Sequence, residues 1–262
     1  MKIAIDAGHG LHTAGKRCPD DSMREFQFNC EVARLIYEEI KVYTTVEGGA
    51  VQVCYIHAED GARDVPLHER VKSANEWKAD IYVSIHANAA GTGWNDANGI
   101  ETFTAKTCSD TSSVLAKAVQ KRLVEATGRK DRGVKREDFT VIAKTDMPAI
   151  LVEAGFMTNR EEAALLKSTD YRKTVAAAVV RGLADVCGLR AKNAQEQTED
   201  PHPSGDATDK TAASVNMWVN GKELQGAFIT DGSAYAPVRA LAEMLGATVR
   251  WDASTRTIYI DK

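Results

Sequence analysis

Near the start of the chain lies Lys2-Ile3-Ala4-Ile5-Asp6-Ala7-Gly8-His9-Gly10, a short apolar run that ends in a histidine between two glycines. A second run, Ile81-Tyr82-Val83-Ser84-Ile85-His86-Ala87-Asn88, has the same design. Each is typical of a buried β-strand that delivers an imidazole at its carboxyl end. Open α/β sheets bind their ligands at that edge, so we expect His9 and His86 to lie close together there.

Strand-like and helix-like patterns alternate over residues 1 to about 190. The predicted strands are short and rich in Val and Ile: 2–6, 50–56, 80–86, 99–104, 139–143 and 149–153. The predicted helices carry apolar residues at helical spacing: 25–40, 67–77, 112–127, 160–167 and about 170–187. This alternation predicts an α/β sheet covered by helices on both faces, in which one strand can run antiparallel.

Composition changes after this region. Residues 190–213 are polar and contain two prolines, which predicts a flexible linker in which His202 is solvated. Residues 214–262 form a compact module with a hairpin signal at Asn220-Gly221, a helix over 237–246 and a final pair of strands. We therefore predict three parts: a large domain over 1–189, the linker, and a small α+β domain.

The overall composition excludes several classes of protein. The net charge of −4 indicates no general affinity for nucleic acid, and no apolar run is long enough to span a membrane. The first residues lack the pattern of a signal peptide, so we expect synthesis in the cytoplasm. Five cysteines without a C-x-x-C spacing predict reduced thiols rather than a cysteine zinc knuckle.

Two histidines at strand ends need only a carboxylate or two to complete a catalytic zinc site. Glu25 begins a predicted helix, and Glu153 directly follows the apolar run 149–152. We predict one Zn²⁺ held by His9, Glu25 and His86, with Glu153 as the catalytic base that accepts a proton from water. Taken singly, each residue has a structural interpretation: a turn histidine, a helix-start carboxylate or half of an ion pair. Their common location favours the zinc site.

The same positions belong to blocks that resemble a known family, the zinc-dependent N-acetylmuramoyl-L-alanine amidases of the amidase 3 type. The blocks are Ile5–Gly10, Glu25 with Asn29, Leu67 with Arg70 and Asn75, Ser84–Asn88, and Pro148 with Leu151–Asn159. The resemblance covers about 1–189 and implies a twisted, mostly parallel (mixed) sheet flanked by helices. It implies His9, Glu25 and His86 as zinc ligands, Glu153 as the catalytic glutamate, and peptidoglycan as substrate, cut between the lactyl group of N-acetylmuramic acid and L-alanine.

A basic segment, 129–136, has two interpretations. It can meet carboxylates of the peptide stem or an anionic wall polymer, or it can be a solvated loop without a function. With the first in mind, we predict Asn88, Arg132 and Lys135 as substrate contacts.

The C-terminal module is similar to the small copper amine oxidase N-terminal-like, or stalk, domain. The similarity covers about 214–262 and implies attachment to the cell wall, with a spacer or dimerisation role as alternatives. The stretch contains no histidine or cysteine, so we expect no copper there.

Several functions remain open at this point. A wall-directed enzyme without a leader fits a phage or prophage endolysin, which would act on the wall after release or secretion. The alternatives are a host sporulation or autolysin amidase, a zinc peptidase that cuts within the stem peptide, and a non-catalytic wall-binding protein.

Overall fold

The computed structural model describes residues 1–192, 213–214, 217–219, 222–224, 228–230, 233–235, 241–242, 244–252 and 257–261. The chain divides into two compact units, Met1–Gln197 and Thr198–Lys262. The domain boundaries expected from the sequence stay predictions, and a strand of the first unit reaches Ala191. Linker residues 193–212, with His202, lie outside the described residues.

The first unit is built around a six-stranded sheet. Its elements are β1 (Lys2–Ala7), α1 (Glu25–Ile40), β2 (Tyr43–Thr45), β3 (Gln52–Tyr55), α2 (Leu67–Trp77), β4 (Ile81–Asn88), β5 (Ile100–Thr104), α3 (Asp110–Thr127), β6 (Asp131–Arg136), α4 (Thr140–Ala143), β7 (Ala149–Phe156), α5 (Arg160–Lys167), α6 (Thr169–Cys187) and β8 (Leu189–Ala191). The strand order is β3-β1-β4-β7-β5-β6. Strands β3, β1, β4 and β7 are parallel, whereas β5 is antiparallel to β7 and parallel to β6. The predicted mixed, mostly parallel sheet is confirmed.

Alternate residues of the strands pack on opposite faces of the sheet, as the pleat requires. On one face, Ile3, Val83 and Ile150 contribute to the core that also contains α1, α3 and α6 residues. On the other face, Tyr82 and Leu151 belong to a smaller core completed by α2 and α4 residues. His86 and Glu153 alternate in step with Tyr82 and Leu151 and so lie on this second face, whereas Glu25 comes from α1, which packs on the first face.

The predicted helices have the local signals that begin and end them. Asn159 precedes α5, and its side chain caps the helix by accepting the N–H of Glu162. Gly128 ends α3 in the left-handed region, at φ 64°, where glycine is favoured. The helices predicted over 25–40, 67–77 and 160–167 have the observed bounds.

One strand prediction for the first unit was wrong, and one of the two interpretations of the basic segment is excluded. Residues 139–143 are not a strand, because Thr140–Ala143 form the helical turn α4, which buries Val141 and Ile142 against the sheet. The basic segment is not a solvated loop, because Asp131–Arg136 form the edge strand β6. Strands β2 and β8, which pair antiparallel with each other, were not predicted.

The second unit is described through short antiparallel pairings. Met217–Val219 pairs with Lys222–Leu224, and Thr248–Asp252 pairs with Thr257–Asp261. The predicted Asn220-Gly221 turn lies outside the described residues. Phe228–Thr230 pairs with Ser233–Tyr235 and with Ala213–Ser214. Of the predicted helix 237–246 the structure describes only Leu241, Ala242 and the residues from Met244 onward. No helix in the described ranges is both long and apolar enough to cross a membrane.

Candidate active site

Three predicted ligands, His9, Glu25 and His86, converge at the carboxyl edge of the sheet. Nδ1 of His86 lies 2.9 Å from Oε1 of Glu25, and Nε2 of His9 lies 3.4 Å from Oε2 of the same carboxylate. One possible ligand atom from each residue falls within 4.8 Å of the other two. The two imidazoles are nearly perpendicular, with their ring centroids 5.0 Å apart. A single cation could therefore contact all three side chains.

The backbone around Gly8 fixes the relative placement of the two histidines. His9 has φ 66°, a left-handed conformation that is uncommon for a residue with a side chain. A Cβ on Gly8 would lie 2.0 Å from Cε1 of His86, so the His86 ring rests directly on the backbone there. Asn29 donates to the Gly8 carbonyl (3.0 Å) and to Oε1 of Glu25 (3.3 Å), which ties α1 to this turn.

A buried arginine, Arg70 of α2, holds the same turn from the other side. Its side chain is 1% exposed, and its five N–H groups have five acceptors. They are the carboxylate of Asp6, the carbonyls of Ala7 (2.7 Å), His9 (2.9 Å) and Val65 (2.7 Å), and Oδ1 of Asp64 (3.0 Å). Because these acceptors include the carbonyls on both sides of Gly8, Arg70 fixes the conformation that presents His9.

His57 is a further buried support of β1. The Ala7 N–H donates to its Nδ1 at 3.0 Å, and its ring packs against Phe26 and Tyr55. Burial lowers the pKa of His57 to about 4, so the ring stays neutral and keeps accepting this hydrogen bond at neutral pH. Its position in the sequence gave no indication of this role.

The ligand cluster combines one anionic and two basic side chains. Burial lowers the pKa of His9 to about 4, which keeps its imidazole neutral. Burial acts to raise the pKa of Glu25, but the hydrogen bond and charge of His86 outweigh it and the pKa is lowered. The carboxylate is thus ionised, and imidazole and carboxylate are ligands that Zn²⁺ prefers.

Glu153 lies on β7 directly opposite His86 of β4. Its Oε2 atom is buried and has no hydrogen-bond partner among the described residues. Burial raises the pKa of Glu153 to about 8. An acidic group with a near-neutral pKa and an unpaired oxygen beside a cluster of ligands is suited to exchange protons with a reactant.

The three predicted substrate contacts meet at a residue that the sequence analysis did not single out, Glu101 of β5. Arg132 donates from Nε to Oε2 of Glu101 at 2.6 Å, and Lys135 contacts the same oxygen. Asn88 donates to Oε1 at 2.8 Å. Glu101 pairs directly with Glu153 across β5 and β7, so this charged cluster is the next neighbour of the predicted base.

The charged residues to which the sequence analysis gave no role share one property. Asp6, Arg70 and Glu101 are charged yet at most 4% exposed. A charge inside an apolar strand must be paired or hydrogen-bonded, so the acids inside β1 and β5 were a usable signal for buried ionic partners.

A cavity of about 330 Å³ opens beside the ligand cluster. Both histidines contribute to its wall, as do Val65 to Leu67 before and at the start of α2 and Val141 of α4. Its mixed lining gives a bound molecule both apolar contact and access to the ligand cluster.

Comparison with known proteins places these features in a family. Residues 3–185 match the family described as N-acetylmuramoyl-L-alanine amidase, and residues 208–262 match the copper amine oxidase N-terminal domain. N-acetylmuramoyl-L-alanine amidase LytC of Bacillus subtilis (strain 168) is 33% identical over 181 residues, which are 69% of this chain and 34% of LytC. The endolysin of Bacillus phage SPP1 is 28% identical over 227 residues, which are 84% of this chain and 80% of the endolysin.

Solved structures agree with the sequence matches. The crystal structure of N-acetylmuramoyl-L-alanine amidase from Clostridium difficile 630 superposes with a TM-score of 0.64 and 31% identity, over 70% of this chain and 95% of that one. The family match over residues 3–185 contains the ligand cluster, Glu153 and, apart from Lys2, the six strands of the sheet. The chain therefore belongs to the N-acetylmuramoyl-L-alanine amidase family.

Proposed function

We propose that the protein is a zinc-dependent peptidoglycan hydrolase that cuts the amide between the lactyl group of N-acetylmuramic acid and L-alanine of the stem peptide. The observation that carries this proposal is the convergence of His9, Glu25 and His86 beside Glu153 in a member of this amidase family. The arrangement supplies three ligands and a separate proton acceptor, as hydrolysis at a metal requires.

The donor set fits Zn²⁺. Two imidazole nitrogens and one carboxylate converge within 4.8 Å, and the carboxylate is buried between the rings. We assign His9, Glu25 and His86 as the residues that would hold the ion. Bound zinc would supply a Lewis acid for the amide carbonyl and would lower the pKa of a water molecule.

The proposed chemistry of the chain itself centres on Glu153. Positive charge held by the ligand cluster would lower the raised pKa of Glu153, which would leave a carboxylate able to accept a proton from water. As the water oxygen attacks the lactyl carbonyl, Glu153 takes the proton. It then donates that proton to the leaving alanine nitrogen as the C–N bond breaks. The products are a lactyl carboxylate and a free peptide amine.

We further propose that the enzyme acts on the cell wall as an endolysin. The match to the phage SPP1 endolysin extends over 84% of the chain, compared with 69% for LytC, and this supports the endolysin over a host autolysin. Wall binding by residues 214–262 is part of the same proposal.

Mass spectrometry of digested peptidoglycan tests the proposed reaction. We expect intact glycan strands that carry a free lactyl carboxylate, free stem peptides that begin with L-alanine, and no digestion after a chelator has removed the metal. Peptides cut inside the stem would instead identify a zinc peptidase. A folded, metal-loaded protein that binds walls without releasing any fragment would identify a non-catalytic wall-binding protein.

A further inference from the structure

We propose that Arg132 and Lys135, anchored by Glu101, form an anion subsite that recognises a free carboxylate on the leaving peptide, within about two residues of the scissile amide. This inference rests on the proposed amidase function and specifies which stems the enzyme prefers. Glu101 acts as the positioning residue, whereas the two cations contact the substrate.

The register of the sheet places the subsite next to the reacting atoms. His86, Glu153 and Glu101 are direct neighbours on β4, β7 and β5, and their side chains share one face of the sheet. Strand β6, which carries both cations, is the next strand beyond β5. A ligand, the predicted base and the cationic cluster therefore follow one another in a single row across the sheet.

The spacing of this row matches a short peptide. Neighbouring strands lie about 4.8 Å apart, so β6 is about 10 Å from β7. An extended peptide advances about 3.5 Å per residue, and a carboxylate on a side branch adds reach. A stem whose first nitrogen lies at Glu153 would bring the carboxylate of its second residue to Arg132 and Lys135.

The charge of the cluster leaves a cation for the substrate. One carboxylate, Glu101, faces two cations, so the three side chains together carry one positive charge. The side chain of Glu101 is 6% exposed, whereas those of Arg132 and Lys135 are 29% and 40% exposed. The negative charge is thus hidden beneath the cations, and an anion in solution meets their outer sides.

The Arg132 guanidinium also has N–H donors that make no hydrogen bond with the described residues. Its Nε is used by Glu101 and its Nη1 lies 3.4 Å from the carbonyl of Asn98, while Nη2 makes no hydrogen bond with the described residues. The guanidinium lies over the ring of Phe156, 4.8 Å from its centroid, which holds its plane in place. A fixed guanidinium with unused N–H groups is suited to bind a carboxylate.

Paired synthetic substrates test this proposal directly. Each substrate is an N-acetylmuramoyl dipeptide whose first residue is L-alanine. In one substrate the second residue has a free acid as its carboxyl group nearest the scissile amide, and in the other this group is a carboxamide. We expect the zinc-loaded full-length enzyme to cleave the free acid with a kcat/KM about tenfold higher than that for the amide. Most of this difference should come from a lower KM for the free acid. The preference should shrink in 0.5 M NaCl, because salt screens partly exposed charges.

Substitutions of Arg132 and Lys135 test whether these residues cause the preference for the free acid. Arg132→Gln and Lys135→Gln should each bring the ratio of kcat/KM for the free acid to kcat/KM for the amide close to one. Arg132→Lys should retain part of the preference. Lys106→Gln is the matched control, since Lys106 forms an exposed ion pair with Glu137 beyond the other end of β5 and its loss changes the net charge equally. This control should keep the full ratio.

The possible outcomes distinguish the subsite proposal, a purely structural role of the cluster and the amidase proposal. Equal cleavage of both substrates by the unaltered enzyme would overturn the subsite without touching the amidase proposal, and that comparison requires no variant. Variants that lose thermal stability but keep the tenfold ratio would make the cluster purely structural. Failure to cleave either substrate, while purified peptidoglycan also stays intact, would overturn the proposed function itself.

Discussion

The two sides of the site are built on opposite principles. On the side of β1 and α2, Arg70 is 1% exposed and each of its N–H groups has an acceptor within the protein. On the side of β5 and β6, Arg132 and Lys135 are partly exposed and share a single carboxylate. One arginine is fully occupied by its own chain, and the other is only partly occupied.

This difference separates residues that maintain the geometry of the site from residues that recognise the substrate. A buried ion pair whose donors are all satisfied gives geometry, and removal of one partner is costly because the other charge is left unpaired. Partly exposed pairs contribute little to stability, but their charges remain available to a ligand. We therefore expect substitutions near His9 to affect metal binding and folding, and those on β6 to affect the choice of substrate.

The strongest test lies between the two sides, at Glu153. Glu153→Gln preserves size but removes the proton acceptor, so we expect kcat to fall by about 10² to 10⁴ while zinc is retained. Elemental analysis and cleavage of a muramoyl peptide measure the two properties. A variant with its full zinc content and a rate within tenfold of the unaltered enzyme would show that Glu153 is not the base.

Arg70→Met should disrupt the side of the site formed by β1 and α2, which presents the candidate ligand His9. Loss of the guanidinium leaves the buried Asp6 carboxylate without its ion-pair partner and with the hydrogen bond from Ser84, and we expect a destabilisation of about 3–5 kcal/mol. Because His9 loses its support, zinc affinity should also fall, by about 10- to 100-fold. Chemical denaturation and competition with a chromogenic chelator measure the two effects.

A neighbouring arginine provides the control. Arg63→Met removes an exposed pair with Glu69, whose side chains are 61% and 38% exposed, and should change stability by less than about 1 kcal/mol. If Arg70→Met and Arg63→Met had equal effects, the proposed contrast between the buried and the exposed sides would be wrong.

A smaller, pH-dependent effect should appear at His57. Its pKa in the folded protein, about 4, is below the unfolded value, so the unfolded chain takes up a proton first as the pH falls. The stability that neutral His57 contributes is present above about pH 6.5 and is lost towards pH 4, by up to about 3 kcal/mol. His57→Asn keeps an acceptor for the Ala7 N–H without this ionisation.

Denaturation curves between pH 7 and pH 4 compare the two proteins. The unaltered enzyme should lose more stability over this range than His57→Asn. Identical losses would mean that His57 does not titrate differently in the folded and unfolded states.

Elements with a clear hydrophobic period were predictable. The strands that carry His9 and His86, and the helix that begins at Glu25, have apolar residues at the spacing of their secondary structure. The placement of the three side chains at one edge followed from a general rule of α/β sheets. Whether those residues bind zinc is a prediction that the experiments above test.

Elements without such a period were missed. The edge strand Asp131–Arg136 is polar because it has a neighbour on one side only, and it therefore resembles a loop in the sequence. The run Thr140–Ala143 is too short to distinguish a buried helical turn from a strand. Glu101 was missed for a related reason, since its partners lie on that unpredicted edge strand.

The position of β5, α3 and β6 in the chain has a consequence for protein engineering. These elements form one continuous stretch, Ile100–Arg136, that completes a single border of the sheet. All three candidate zinc ligands precede this stretch, and Glu153 follows it. A chimera that receives the corresponding stretch from another amidase would exchange the cationic border in one graft and leave the hydrolytic centre as it was inherited.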